Sequence, residues 1–117
     1  MEWKILDDRP IWQQLRRQLT LRIVAGIYPM GSRLPSVRDL AAEAGVNPNT
    51  MQRALAALEQ DTLVAANRTA GRFVTEDAAL VQKIRMELAR EHIAAYLQGM
   101  ATLGFTEQEA RALLKEE

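Results

Sequence analysis

Apolar residues in the first part of the chain recur at helical intervals. Ile11, Leu15, Leu19 and Ile23 stand four apart, with Trp12 and Val24 beside them, and Pro10 precedes them as a first-turn residue with no N–H to orphan. This predicts an amphipathic helix from Pro10 to near Gly26, with Arg16, Arg17 and Arg22 mostly off its stripe. Pro29, Gly31 and Pro35 then break the period. A second apolar set, Val37, Leu40, Ala41 and Ala44, follows Ser36, an N-cap with Asp39 three positions on, and Gly45 ends that helix. Asn47 and Pro48 repeat the pattern of cap and first-turn proline. They open a third helix through about Gln60, with Met51, Ala54, Leu55 and Leu58 as its buried face.

Two helices joined by a turn of a few residues containing Gly45 have the spacing of a helix-turn-helix. In that motif the first residues of the second helix point outward, here Asn47, Pro48, Asn49, Thr50, Gln52 and Arg53. Their chemistry suits base edges. Asn and Gln pair with adenine, Arg with guanine, and a Thr methyl touches the thymine methyl.

Beyond it, β-prone runs near residues 63–66 and 72–75 flank a polar centre of about five residues, which predicts a hairpin. Arg68 and Arg72 project from its tip or base, and Phe73 returns the strand to the core. A basic hairpin after a helix-turn-helix is a wing. The remainder reads as one long helix from Thr75 to Leu103, ended by Gly104, then a capping box of Thr106 and Glu109 opening a short terminal helix. The long helix carries a broad apolar stripe: Leu80, Val81, Ile84, Leu88, Ile93, Tyr96, Leu97, Met100 and Leu103. Two helices of about forty residues cannot bury it as an independent monomer, so a two-fold homodimer is expected. The fold class is therefore mainly α with a small β wing: a winged helix-turn-helix domain over residues 1–76 and a two-helix dimerisation region over residues 77–117.

Composition removes whole classes of function. With no cysteine and one histidine, His92, the chain holds no thiolate nucleophile, no disulfide and no Cys- or His-rich metal site. No catalytic constellation, Gly-rich phosphate loop, cofactor or metal is expected. No apolar stretch approaches a spanning helix and the N-terminus has no signal-peptide run, which predicts a cytoplasmic protein with no membrane partner. The formal net charge of zero conceals a polarity: residues 1–76 carry +2 and residues 77–117 carry −2. From Arg9 to Arg38 there are six arginines and no acid. A neutral chain thus has a basic front end, where phosphate attraction would act.

Four ordered motifs are similar to a known family. Pro10-Ile11-Trp12-Gln13-Gln14-Leu15, Gly31 through Ala41 with Leu34-Pro35-Ser36-Val37-Arg38, Gly45 through Leu55, and Gly71-Arg72-Phe73-Val74 resemble the GntR family of bacterial winged-helix transcription regulators. The short two-helix tail resembles its YtrA subfamily, whose small C-terminal region dimerises. The resemblance implies that Arg38 contacts the DNA backbone or a guanine, with Arg33 and Ser36 in the same motif. It also implies that Asn47, Pro48, Asn49, Thr50 and Gln52 face bases and phosphates, and that Gly71 lets the wing approach the minor groove. Gln52 followed by Arg53 departs from relatives with Arg at the Gln52 position, which leaves the base preference there open between the adenine that a Gln reads and the guanine that an Arg reads. Thr62 replaces a usual glycine; strained in a left-handed conformation, it should force an adjusted helix end.

The functional expectation is a sequence-specific DNA-binding regulator, a repressor by default. It should read an inverted-repeat operator with two recognition helices about 34 Å apart. Arg33, Arg38 and Arg68 would supply backbone contacts, with Arg16 and Arg17 as further candidates. The competing reading is a protein-interaction adaptor that keeps the shape without binding DNA. A small-molecule effector is left open, with no residues assigned to it.

Overall fold

The computed structural model describes residues 1–116. It contains five helices and a two-stranded antiparallel sheet, in the order α1 (Ile11–Val24), α2 (Val37–Ala44), α3 (Pro48–Gln60), β1 (Val64–Asn67), β2 (Gly71–Val74), α4 (Ala78–Thr102) and α5 (Glu107–Glu116). The chain divides into two compact units, Met1–Gln82 and a second that starts at Lys83, so the division falls within α4.

In the first unit α3 packs against both α1 and α2. The core is the set of apolar positions that the periodicity selects: Leu15, Leu19 and Ile23 of α1, Leu40 and Ala41 of α2, and Met51, Ala54, Leu55 and Leu58 of α3 are all buried. Each buried leucine contributes about 1.5–3 kcal/mol relative to exposure. The caps fall where the residue types place them. Ser36 Oγ accepts from the Asp39 N–H at 3.1 Å, and Asn47 Oδ1 accepts from the Asn49 N–H at 2.7 Å with Pro48 in the first turn. Gly45 ends α2 in the left-handed conformation, φ +70°.

The end of α3 corrects the expectation of an adjusted terminus. Thr62 itself adopts the left-handed conformation, φ +62°, in a regular Schellman ending: its N–H reaches Glu59 O at 3.0 Å and the Leu63 N–H reaches Leu58 O at 3.1 Å. The helix keeps its ordinary ending and a β-branched residue bears the strain. The burial of Leu63 and Val64 just beyond, both under 3% exposed, holds the chain in that turn.

The sheet pairs Val64 with Val74 and Asn67 with Gly71, leaving a three-residue loop of Arg68, Thr69 and Ala70, shorter than the five polar residues expected. Asn67 Oδ1 tightens it by accepting from both the N–H and the hydroxyl of Thr69. The segment before α2 adds a further rung: Arg33 bridges to Phe73, with Leu34 N–H donating to Arg72 O at 2.8 Å and Val74 N–H to Ser32 O at 2.9 Å. Because Thr75 still donates to Leu63 O, α4 starts at Ala78 instead of Thr75, with Asp77 Oδ1 capping the Leu80 N–H.

An extended N-terminal segment lies along α1. The side-chain amide of Gln14 accepts from the Leu6 N–H and donates to the Leu6 carbonyl, and Gln18 does the same with Lys4. Four residues of helix rise about 6 Å and two residues of strand about 6.6 Å, so two glutamines one turn apart can pair with alternate residues of a strand. The indole of Trp3 covers the guanidinium of Arg22 at 3.6 Å, and Arg22 is 3% exposed with Nη2 donating to the Met1 carbonyl.

In the second unit the expected capping box forms: Thr106 N–H donates to Glu109 Oε1 at 2.9 Å and Glu109 N–H to Thr106 Oγ1 at 3.1 Å. The Tyr96 hydroxyl donates to Ala110 O at 2.6 Å, pinning α5 to α4 beside buried Ala110. Of the apolar stripe, Ile93 and Leu103 are more than half exposed in the single chain, as is Leu114 of α5.

Candidate nucleic-acid interface

The helix-turn-helix presents one edge to solvent. The left-handed Gly45 and a bond from the Val46 N–H to Ala41 O at 3.0 Å turn the chain sharply from α2 into α3. With Met51, Ala54, Leu55 and Leu58 turned inward, the opposite face of α3 carries Asn49, Gln52 and Arg53 outward, while Asn47 and Pro48 are exposed at its start and Thr50 is half-buried. Arg38 lies exposed in the first turn of α2, one residue beyond Val37. Ser36 is exposed as well, its hydroxyl engaged in capping.

The wing joins this edge through Arg33 and Gly71. The Arg33 guanidinium lies across the glycine, so that a Cβ at Gly71 would meet Arg33 Nε at 3.2 Å, and Gly71 has φ +93°. The positive φ selects glycine here, and a Cβ would in addition require the Arg33 side chain to give way by a few tenths of an ångström. Arg68 projects, exposed, from the loop between β1 and β2.

Seven arginines of the first unit fall into two groups by partner. Arg16 is bound to Asp61 and Arg72 to Glu59, with only 19% of the Arg72 side chain exposed, so both spend their donors on carboxylates. Arg22 is buried under Trp3. By contrast, Arg33, Arg38, Arg53 and Arg68 have no carboxylate within ion-pair distance among the described residues. Arg53 instead lies over the ring of Trp12, 4.3 Å from its centroid. Sequence reasoning counted Trp12 only as a flank of the α1 stripe and did not connect it to Arg53, since the two meet only when α1 packs on α3.

Of the positions expected to associate copies of the chain, Val81 is buried within the first unit, Leu80, Ile84, Leu88, Tyr96, Leu97 and Met100 are half-buried, and Leu103 is exposed. Between α4 and α5 an open groove is lined by His92, Ile93, Tyr96, Leu97, Arg111 and Leu114. Among the described residues no cluster of acidic or histidine side chains could hold a metal ion, and no helix is long and apolar enough to cross a membrane.

Comparison with known proteins agrees with this geometry. The model of the bacterial regulatory proteins of the gntR family matches residues 12–74. The chain is 34% identical to the uncharacterized HTH-type transcriptional regulator YhcF of Bacillus subtilis, over 93% of this chain and 90% of the relative. It is 36% identical to the HTH-type transcriptional repressor YtrA of the same organism, over 62% of this chain and 55% of that protein. A solved GntR family transcriptional regulator from Listeria monocytogenes superposes with a TM-score of 0.85 at 32% identity, covering 97% of this chain and 99% of the other.

Proposed function

The chain belongs to the gntR family of bacterial regulatory proteins, and from that premise we propose that it is a DNA-binding transcription regulator acting as a homodimeric repressor on an inverted-repeat operator. The observation that carries the reading is the sorting of its arginines. In the first unit Arg16 and Arg72 are ion-paired across elements and Arg22 is buried, whereas Arg33, Arg38, Arg53 and Arg68, without carboxylate partners among the described residues, stand before and on the start of α2, on the outer face of α3 and on the wing.

Each element then has a physical task. Asn47 at the cap of α3 and Asn49, Thr50 and Gln52 of the helix enter the major groove, where the pattern of donors and acceptors distinguishes all four base pairs. Arg33, Arg38 and Arg53 neutralise phosphates beside it, and Arg68 does so from the wing; these contacts set register and most of the affinity. Ser36 and Pro48 shape the helix starts that approach the backbone. Arg72 supports the wing by tying it to Glu59 of α3. Gly71 lets Arg33 lie flat at the wing base.

The uncovered apolar positions of α4 and α5, above all Ile93, Leu103 and Leu114, support association of two copies through this region. A two-fold dimer presents two recognition helices to successive major grooves. Bound across a promoter in the bacterial cytoplasm, it excludes polymerase.

The test is footprinting of the promoter adjoining its own gene with the purified protein. An inverted repeat with half-site centres about one helical turn apart, 10–10.5 base pairs, is the expected protection. Protection of a single unrepeated half-site, or of none, contradicts the dimeric reading.

A further inference from the structure

The geometry points to Trp12 as a positioning residue for DNA recognition: its indole holds Arg53 of α3 by the face of the guanidinium, leaving every N–H donor of that arginine available to DNA. This rests on the DNA-binding reading above.

An arginine on a recognition helix has two opposed requirements. It must be ordered before binding, because fixing a long side chain at the moment of binding costs affinity, and its donors must remain unspent. An ion pair meets the first requirement and fails the second, as at Arg72, whose Nε donates to Glu59, and at Arg16, whose Nε and Nη2 both donate to Asp61. Stacking on a ring meets both. The guanidinium is a flat fork whose five N–H groups lie in its plane, so an aromatic ring beneath it attracts the charge without accepting any of them.

Trp12 and Arg53 meet at the distance this arrangement needs, with the guanidinium carbon over the ring and 4.3 Å from its centroid. Arg53 is exposed, it makes no hydrogen bond or ion pair among the described residues, and it stands on the outward face beside Asn49 and Gln52. Trp12 sits in the first turn of α1, half-buried, so packing fixes the ring while one surface remains open to α3. The other stacked pair sharpens the contrast. Arg22 on Trp3 is 3% exposed and donates Nη2 to the Met1 carbonyl, so there the same contact secures a segment of the fold.

The test compares wild type, Trp12→Leu, Trp12→Phe, Arg53→Ala and the Trp12→Leu/Arg53→Ala double variant. The probe is a labelled 30-base-pair duplex enriched by the wild-type protein from a random-sequence pool, and anisotropy is read across a salt series. Trp12→Leu should weaken binding about three- to tenfold and Trp12→Phe much less, because the ring is kept. Arg53→Ala should make the log–log salt slope shallower by about 1.8, the loss of one phosphate contact in each protomer of the dimer, and the double variant should bind no worse than Arg53→Ala alone. In the free protein the Arg53 side-chain N–H proton should resonate upfield through the ring current, remain upfield in Trp12→Phe and return to an ordinary position in Trp12→Leu.

This NMR signature is read on wild type and Trp12→Phe even should Trp12→Leu not fold, and an ordinary Arg53 resonance in the wild type would overturn the proposal. So would an unchanged affinity in Arg53→Ala, or effects of Trp12→Leu and Arg53→Ala that add in full. A wild-type protein that enriches no duplex overturns the DNA-binding reading itself, a result distinct from all of these.

Discussion

Arg16 of α1 grips Asp61, the residue that caps the C-terminus of α3, with a forked ion pair: Nη2 lies 2.7 Å from Oδ1 and Nε 3.1 Å from Oδ2. The pair joins the two helices whose packing forms the centre of the first unit, and it directs Arg16 to a structural task. Arg16→Ala should lower stability by about 1 kcal/mol, the value for a partly exposed bidentate pair, and Asp61→Ala by a similar amount without further loss in the double variant. DNA affinity of Arg16→Ala, measured well below its melting temperature, should match wild type. Calorimetry and anisotropy on the same samples check both halves of this expectation.

Thr62 bears a left-handed conformation that its β-branched side chain resists. Thr62→Gly should therefore stabilise the protein. Removing about 1–2 kcal/mol of backbone strain outweighs the roughly 0.4–1 kcal/mol that glycine's freer unfolded chain costs. A net gain of about 0.5–1 kcal/mol corresponds to a rise of a few degrees in Tm for a domain of this size. Thermal melts of the two proteins side by side decide it, and a lower Tm for the glycine variant would show that the turn carries no strain.

Glu109 is held below the usual glutamate range, first by the Thr106 backbone N–H that it accepts and then by the Thr106 side chain. Its folded pKa lies below its unfolded pKa, so the cap contributes fully above the ordinary value of 4.5 and is lost as pH falls through the lower, folded value. The start of α5 should loosen only in that acid window. Glu109→Gln, whose amide oxygen still accepts the bond, should remove the pH dependence while preserving the cap at neutral pH. The Thr106 amide proton shift, followed by NMR through the titration, reports both effects.

Arg38 and Gln52 should separate affinity from specificity. Arg38→Ala should weaken binding to every duplex alike, as expected for a lost phosphate contact, whereas Gln52→Ala should relax preference at particular base pairs, by about 1–3 kcal/mol of discrimination. A base-scanning series of duplexes, titrated with each variant, distinguishes a uniform loss from a positional one.

Much of the first unit was legible because its boundaries are set by local chemistry. Ser36, Gly45, Asn47 and Pro48 fix the ends of α2 and the start of α3 by residue type alone, and the apolar periods of α1 and α3 select the core. Contacts over long sequence separations were not legible. Nothing near Arg16 or Arg72 announces Asp61 or Glu59 as a partner, and Arg53 meets Trp12 only across the α1–α3 packing. The N-terminal strap did leave a trace, in the alternation of Trp3 and Ile5 with Glu2 and Lys4 and in two glutamines four apart, but the helical periods beyond it dominate the pattern. Thr62 shows the limit of propensity: local preference argued against the left-handed turn, and the burial of Leu63 and Val64 overrode it.

The central claim is that Arg33, Arg38, Arg53 and Arg68 remain without acid partners in order to meet phosphates. Titrating the wild-type protein against its footprinted operator over a salt series tests it most directly. Four contacts per protomer in a dimer predict that log affinity falls linearly with log salt at a slope of about −7. A slope near zero, or equal affinity for the operator and an unrelated duplex at every salt concentration, would contradict the account.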